Sequence, residues 1–248
     1  MSGIIWDMSP EIFNINLGGF RLAPRWYGLC FAVGLLIGYH IMRKAFRAAG
    51  RSDEVLNTGF VWFVVGTLLG ARIGHCLFYE PEYYLSHPLK ILAVWEGGLA
   101  SHGGVIGIAI AMVLYCRKFR IPFLWLSDRL AVAMAAGVPM IRIGNFFNSE
   151  IIGTETDLPW GVVFKRNFSA QDGPHHPAQL YEALAYFLIF LFLSFWSKRK
   201  GDSLRQGQLI GAMLILTFTA RFFIEFVKEN QVNWEMGMVL NMGQILSL

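Results

Sequence analysis

Charged residues are scarce in this chain: Asp, Glu, Lys and Arg make up 15% of its 248 residues, against about 25% in soluble domains. Cysteine is scarce too. The three cysteines each lie inside an apolar run, with no CxxC spacing, so a disulfide framework, a thiolate metal site and a cysteine nucleophile are all disfavoured. The first 17 residues contain two carboxylates and no basic residue, which is not the pattern of a cleavable signal peptide.

Several motifs of soluble enzymes are also missing. The chain has no HExxH zinc motif and no GxSxG nucleophile elbow, so we expect no metal, no cofactor and no serine hydrolase chemistry. The net charge of +4 comes from short basic clusters between apolar runs. Such clusters set the orientation of a membrane protein, and we therefore expect no nucleic-acid partner.

The chain is instead rich in apolar residues, which make up 55% of it. They collect in six runs, each near the length of about 20 residues that crosses a bilayer. This pattern predicts an all-α membrane protein, a polytopic bundle of about six transmembrane helices in a single domain over residues 1–248. A segment at 148–177, rich in Gly, Pro and Asp, predicts a small periplasmic excursion between the fourth and fifth spans. The runs cover about Trp26–Met42, Val55–Tyr79, Leu99–Cys116, Phe123–Phe147, Ala178–Trp196 and Gly207–Val227.

Basic residues predict the orientation of these runs. The loops after the first, third and fifth runs hold four, three and four Lys or Arg residues. The intervening loops hold only Lys90 in one, and Lys165 with Arg166 in the other. Because positively charged loops stay in the cytoplasm, we predict that both termini and the 148–177 segment face outward.

Polar side chains fall at helix ends that this topology places on the outer side. The densest group is the segment Arg142–Glu150, which holds a guanidinium, two carboxamides and a carboxylate. An ionised side chain at the bilayer centre costs about 2.5–3.5 kcal/mol, so such a group needs a reason. The recurrence of polar groups on one side predicts a site built from several helix ends. The other members are Tyr27, His102, His176–Glu182, and Arg221 with Glu225.

Two arginines, Arg142 and Arg221, are expected at the same depth. Their guanidinium groups repel unless an anion lies between them, and the planar fork of arginine suits bidentate contacts to phosphate. A lipid phosphate is the obvious anion there. In the alternative, Arg142 pairs only with Glu150 and Arg221 only with Glu225, which would stabilise the bundle without binding a ligand.

His102 opens the third run between Ser101 and the pair Gly103 and Gly104. Glycine lets the backbone approach a ligand closely, and free N–H groups at a helix N-terminus favour an anion. Histidine accepts a proton near neutral pH. A lone histidine at a membrane interface is more often structural, but the flanking glycines and the expected arginines favour a functional one.

Two further polar pairs carry no assigned function. His175 and His176 are adjacent, yet no set of acidic or cysteine ligands accompanies them, so we interpret them as a surface turn leading into Pro177 and the fifth span. Arg72 and His75, three residues apart in the second run, are candidates for lining the site or binding a headgroup.

Taken together, these segments resemble the prolipoprotein diacylglyceryl transferase family of bacterial inner membranes. They occur in the family's order and cover nearly the whole chain, and Arg142–Gly153 resembles the family signature. The matching segments are Arg25–Leu29, Gly70–Gly74, Trp95–Gly104, Arg142–Gly153, His176–Glu182, Arg221–Phe226 and Met242–Ser247.

The resemblance implies an activity. The chain would transfer a diacylglyceryl group from phosphatidylglycerol to the lipobox cysteine thiol of a preprolipoprotein, releasing a glycerol phosphate. Its partners would be phosphatidylglycerol, the lipobox-containing signal peptide and membrane lipid. The protein would cross the bacterial inner (cytoplasmic) membrane several times, with its active site toward the periplasmic face.

The resemblance also implies roles for individual residues. His102 would be the general base for the thiol, and Arg142 and Arg221 would clamp the phosphate. An arginine-bound phosphate oxygen could take the thiol proton instead, and the sequence leaves this choice open. The implied headgroup-binding and orienting residues are Tyr27, Gly103, Gly104, Asn145, Asn148, Glu150, Gly153 and Glu225.

Three features depart from the family pattern. Many members have a seventh apolar span after the Met-Gly-Gln segment, whereas this sequence stops at Leu248, so we expect a bundle without that helix. Thr217 stands where some members have tyrosine, so no phenolic role carries over. Arg25 stands where some have histidine, which adds a cation near the mouth of the site.

Two other function classes remain as alternatives. A membrane transporter or channel for an anionic solute would also gather cations, although transporters usually bind near the midplane. An intramembrane hydrolase would need a nucleophile motif that the chain lacks.

Overall fold

Six long helices dominate the fold. A computed structural model describes residues 3–18, 20–93, 97–170, 172–229, 242–245 and 247, so Trp95, Glu96 and Leu246 of the family-like segments lie outside the described residues. Within the described ranges, six helices are long and apolar enough to cross a membrane, as predicted. The helices are α1 (Trp26–Ala48), α2 (Asp53–Phe78), α3 (Pro81–Ser86), α4 (Ser101–Phe119), α5 (Phe123–Phe147), α6 (Ala178–Lys200), α7 (Gln208–Ile224) and α8 (Met242–Ile245).

Most of these bounds lie within about three residues of the predicted ones, but α1 and α6 run further. Both continue through the basic cluster that follows the apolar run, α1 to Ala48 and α6 to Lys200. Lysine and arginine are good helix formers, and their positive charge interacts favourably with the negative, C-terminal end of the helix dipole. The apolar pattern therefore marks the membrane-crossing part of each helix, while the basic residues extend the helix beyond it.

The chain divides into two compact units. The larger comprises residues 1–41 and 128–248, and the smaller comprises residues 42–127. In the smaller unit, α2 and α4 cross closely. Gly66, Gly70 and Gly74 follow one face of α2 at intervals of four residues, against Gly103 and Gly107 of α4; a Cβ atom on Gly107 would overlap the Gly66 carbonyl oxygen. Small residues allow such close backbone approach between membrane helices.

In the larger unit, α5, α6 and α7 share an apolar core that includes Ala131, Leu193 and Leu209. A buried carboxylate completes this packing: Asp128 accepts hydrogen bonds from the backbone nitrogens of Gly207 (2.8 Å) and Ile210 (3.0 Å). These backbone N–H groups lie at the start of α7 and have no acceptor within the helix, so Asp128 satisfies them. Its negative charge also interacts favourably with the positive end of the helix dipole.

The segment between α5 and α6 is a small folded structure that includes a strand absent from the sequence prediction. Strand β4 (Val162–Phe164) pairs in parallel with β1 (Ile4–Trp6). Buried residues of the segment, including Ile152 and Phe164, form its core. A separate antiparallel hairpin joins β2 (Ile15–Leu17) to β3 (Phe20–Leu22). Strands of three residues carry almost no periodic signal, and only their tertiary pairing stabilises them.

Candidate active site

The end of α5 meets the start of α6 in the larger unit through an ion pair. The Nε atom of Arg142 lies 2.8 Å from Oε2 of Glu182. The Glu182 side chain is completely buried, and that of Arg142 is 18% exposed. Removing one partner of a buried pair leaves an uncompensated charge. The sequence placed Glu182 among the polar residues at the outer helix ends, within His176–Glu182, but assigned it no role.

A second cation reaches the same carboxylate. The Lys228 Nζ atom lies 3.3 Å from Oε1 of Glu182 and 3.5 Å from Oε2 of Glu225. Lys228 is 3% exposed, so these carboxylates neutralise an otherwise isolated ammonium. Sequence reasoning missed Lys228, because a lysine just beyond an apolar run resembles an ordinary interfacial anchor. In the described ion pairs Glu225 pairs with Lys228 and not with Arg221, the partner in the alternative interpretation.

Arg142 and Arg221 both act electrostatically on one tyrosine, Tyr186, which lies one turn after Glu182 on α6. None of the ion pairs between described residues involves Arg221, and its buried Nε atom has no hydrogen-bond partner there. The convergence of the two arginines on one anion stays a prediction, and among the described residues no partner competes for the Arg221 Nε donor.

Four polar residues at and just after the end of α5 form a hydrogen-bonded network. Arg142 Nη1 donates to Asn145 Oδ1 at 3.3 Å, and Asn145 Nδ2 donates to Glu150 Oε1 at 2.7 Å. Asn148 Nδ2 donates to the same Glu150 oxygen at 3.2 Å. Glu150 thus reaches Arg142 through Asn145 and not through the direct ion pair of the alternative interpretation.

The turn that carries Glu150 has a strained backbone. Ser149 and Ile151 adopt φ values of 54° and 58°, and this left-handed conformation is a true outlier for a β-branched residue such as Ile151. Gln179 of α6 donates from Nε2 to the Glu150 carbonyl at 2.7 Å. Strain of this kind persists where surrounding contacts hold it, often at functional sites.

Gly153 lies between two neighbouring segments of backbone. Its N–H donates to the His176 carbonyl at 2.9 Å, and the next N–H, of Thr154, donates to the Val227 carbonyl at 3.0 Å. A Cβ atom at Gly153 would overlap the Val227 carbonyl oxygen. Gly153 therefore permits the close approach that brings the end of α7 to the start of α6; its predicted contact with the headgroup stays a prediction.

Tyr27, at the start of α1, lies against the end of α5. A Cβ atom at Gly144, next to Asn145, would lie only 3.0 Å from the Tyr27 ring. Trp26 stacks on Phe147, with ring centroids 5.3 Å apart. The start of α1 thus lies against the end of α5, which is the neighbourhood predicted for Tyr27.

The remaining predicted site residues belong to the smaller unit. The His102 side chain is exposed at the start of α4, and its meeting with the two arginines stays a prediction. Gly103 packs against Gly70 and Gly74 of α2, while Gly104 faces Thr67. These glycines serve the helix crossing, and their predicted contact with a ligand stays a prediction.

Arg72 holds a loop of the smaller unit. It is 2% exposed, and its guanidinium donates to the carbonyls of Ile91 (2.9 Å), Lys90 (2.5 Å) and Gly97 (2.5 Å). It also lies over the Tyr84 ring, 5.0 Å from the centroid. Its donors are thus used by the backbone before α4, which disfavours its candidate role in binding a headgroup.

His176 belongs to a hydrogen-bonded group just before α6. Its Nδ1 atom lies 3.1 Å from the Tyr181 hydroxyl, which accepts a bond of 2.8 Å from Trp160 Nε1. Burial lowers the pKa of His176, and neighbouring His175 lowers it further. His175 lies 3.6 Å from Glu229. No three His, Cys, Asp or Glu residues in the described part of the chain come together to hold a metal.

Comparison with known proteins connects this arrangement to one family. Residues 11–248 match the family model described as prolipoprotein diacylglyceryl transferase. A protein of Tolumonas auensis is 47% identical over 99% of this chain and 92% of its own length. A protein of Chloroherpeton thalassium is 44% identical over 100% of this chain and 90% of its own, and one of Bacteroides fragilis is 43% identical over 99% and 90%. All three are named phosphatidylglycerol–prolipoprotein diacylglyceryl transferase.

Proposed function

The chain belongs to the prolipoprotein diacylglyceryl transferase family, and we propose that Arg142 and Arg221 together hold the phosphate of its lipid substrate. The enzyme transfers the diacylglyceryl group of phosphatidylglycerol to a prolipoprotein, the reaction for which its relatives are named. The acceptor is the thiol of the lipobox cysteine. One observation carries the proposal: within the described residues Arg221 has no carboxylate partner, and its buried Nε atom has no hydrogen-bond partner.

The reaction forms one bond and breaks one. The thiolate sulfur attacks the glycerol carbon that bears the phosphodiester, a C–S bond forms, and the C–O bond to phosphate breaks. The electron pair leaves on the phosphate oxygen as a glycerol phosphate. Negative charge grows on that oxygen in the transition state, so preorganised guanidinium groups lower the barrier. Arg221 supplies donors that no carboxylate of the described residues occupies.

The buried ion pairs fix the geometry of this clamp. Glu182 holds Arg142 from one side at 2.8 Å, and Asn145 accepts from its Nη1 on the other. Lys228 shares Glu182 and neutralises part of its charge, so Arg142 keeps attraction for a second anion. A guanidinium held in this way loses little conformational freedom when phosphate binds.

The acceptor thiol must lose a proton. A free cysteine has a pKa of about 8.5, and the thiolate is the nucleophile. His102 is the candidate base, because it is exposed at the start of α4 and histidine is the commonest general base in enzymes. The second candidate is a phosphate oxygen held by Arg142 and Arg221. Tyr27, Asn148 and the backbone near Gly153 complete the proposed headgroup site.

The protein is a multi-pass membrane protein. We further propose that it lies in the bacterial inner membrane, and its basic loops favour an orientation with the site toward the periplasm. The anion-transporter alternative is not favoured, since the relatives are transferases.

The test is a transfer assay with the purified chain in vesicles. Phosphatidylglycerol carries a radiolabel in its acyl chains, and the acceptor is a lipobox peptide with Cys or, as the matched control, Ser. Label should move to the Cys peptide alone, with stoichiometric release of glycerol phosphate. Label on neither peptide, in a preparation that folds, would refute the function.

A further inference from the structure

A cavity of about 350 Å³ lies at the basic end of α4, in the smaller unit. We propose that it binds the phosphate of an anionic lipid from the cytoplasmic leaflet, given the orientation proposed above, as a site separate from the candidate active site. Its volume is within the range of small-molecule sites. The lining residues are Val113, Cys116, Arg117, Arg120, Ile121 and Phe123.

The two arginines of this cavity, Arg117 and Arg120, have no partners among the described side chains. Neighbouring cations at the same end do: Lys118 lies over the Trp62 ring at 5.2 Å, and Arg51 over Trp125 at 5.4 Å. Asp53 pairs with two further arginines of α1. Two guanidinium groups that line one cavity repel each other, and an anion between them relieves this repulsion.

The backbone of Arg120 is in the left-handed region, with φ 49°. This residue follows α4, and its N–H caps the carbonyls of Cys116 and Arg117. Glycine is the usual residue at such a position, because it has no steric penalty there. An arginine here accepts strain that glycine would avoid, which points to a use for its side chain.

The walls of the cavity favour a lipid over a free anion. Cys116 and Ile121 are buried, whereas Val113 and Phe123 at the rim are 38% and 44% exposed. An acyl chain can lie along this rim while the phosphate reaches the guanidinium groups. Basic pockets beside transmembrane helices on the cytoplasmic side recognise anionic headgroups in this way. Inorganic phosphate has no apolar part that could pack against this rim.

The test counts bound lipids by native mass spectrometry of the full, delipidated chain in uncharged detergent. The probes are phosphatidylglycerol, phosphatidylcholine and inorganic phosphate. The variant combines Arg117→Gln with Arg120→Gly, which removes both guanidinium groups and relieves the left-handed backbone. Lys44→Gln is the matched control, since Lys44 is an exposed cation of the first basic cluster that does not line the cavity. Arg142→Ala separates this site from the candidate active site.

Wild type should bind phosphatidylglycerol at this site, and the double variant should lose one bound lipid, with affinity reduced about tenfold or more. Lys44→Gln should retain it. The same loss should appear in the Arg142→Ala background. The lipid-binding result can therefore be interpreted even if the proposed function is wrong. Unchanged lipid binding by the double variant, equal retention of phosphatidylcholine, or displacement by millimolar inorganic phosphate would each overturn the proposal. Transfer activity of the double variant should match wild type.

Discussion

Glu182 stands beside Arg142 with Oε2 2.8 Å from the guanidinium Nε, and no part of the Glu182 side chain is exposed. Its other oxygen is 3.3 Å from Lys228. One buried carboxylate thus joins the end of α5 to the residues that follow α7. Among the described residues, Arg142 pairs with a carboxylate and Arg221 pairs with none, and the proposal above assigns Arg221 to the substrate.

Replacing Glu182 should damage both stability and activity. Glu182→Gln leaves Arg142 and Lys228 short of a buried counter-charge, and such a loss costs about 3–5 kcal/mol. Unfolding in detergent and the transfer assay measure the two effects. Glu54→Gln, which changes an exposed carboxylate, should alter stability by no more than about 0.5 kcal/mol. Wild-type stability in Glu182→Gln would show that the pair does not hold these helices.

Arg221→Gln should abolish transfer without loss of stability. Its guanidinium has no carboxylate partner among the described residues. Its removal therefore leaves no buried carboxylate of those residues without a counter-charge. Loss of one preorganised donor lowers rate by about 10²–10³-fold. Arg142→Gln is the comparison, because it should lower both activity and the unfolding temperature. A marked destabilisation by Arg221→Gln, equal to that of Arg142→Gln, would mean that Arg221 is a structural cation.

Gly107→Leu should unfold the crossing of α2 and α4. A Cβ atom at Gly107 would overlap the Gly66 carbonyl, so a larger side chain must separate the two helices. Gly211→Ala is the matched control in α7, since a Cβ atom there has no neighbour within 4 Å; it should change stability by no more than about 1 kcal/mol. Thermal unfolding of both variants tests this. Equal stability of the two would refute the close crossing.

Stability should depend on pH through His176. Its pKa is lowered in the folded state, so between that value and about 6.5 the unfolded chain binds more protons. Folded stability therefore decreases as pH falls through this window. The Tm difference, wild type minus His176→Gln, should decrease from about pH 7.5 to about pH 5.

A second substitution controls for the loss of a histidine as such. His87→Gln removes an exposed histidine and should be compared over the same pH range. A His176→Gln difference that rises as pH falls would contradict the assigned direction. Comparing differences also cancels the opposite effect of Glu229, whose pKa burial raises.

The sequence predicted the helices well, because their apolar runs carry their own signal. The fourth run, Phe123–Phe147, matches α5 at both ends. The sequence also identified Arg142 and Arg221, since an ionised arginine in an apolar membrane helix costs free energy and needs a partner. Spacing along one helix could not identify that partner: Glu182 comes from another helix, and Lys228 looks like an interfacial anchor.

Other failures have the same origin. Arg72 was a candidate for headgroup binding, yet it donates to carbonyls up to 26 residues away. Nothing in the sequence specifies that those carbonyls come within reach of the Arg72 guanidinium. Strand β4 pairs with β1 across more than 150 residues, and such pairing depends on the completed fold. Tertiary contacts therefore determine the partners of Arg72 and the pairing of β4, which the local sequence pattern does not specify.

The central claim is that Arg142 and Arg221 grip the same phosphate, and a double-mutant cycle on phosphatidylglycerol binding tests it most directly. Arg142→Lys, Arg221→Lys and the double variant keep the charge but lose the planar fork. Affinities are measured without the peptide acceptor, so chemistry does not intervene. The account predicts a coupling free energy of about 1 kcal/mol or more between the two positions. Additive effects, within about 0.5 kcal/mol, would contradict it, because they would mean that the arginines bind separate groups.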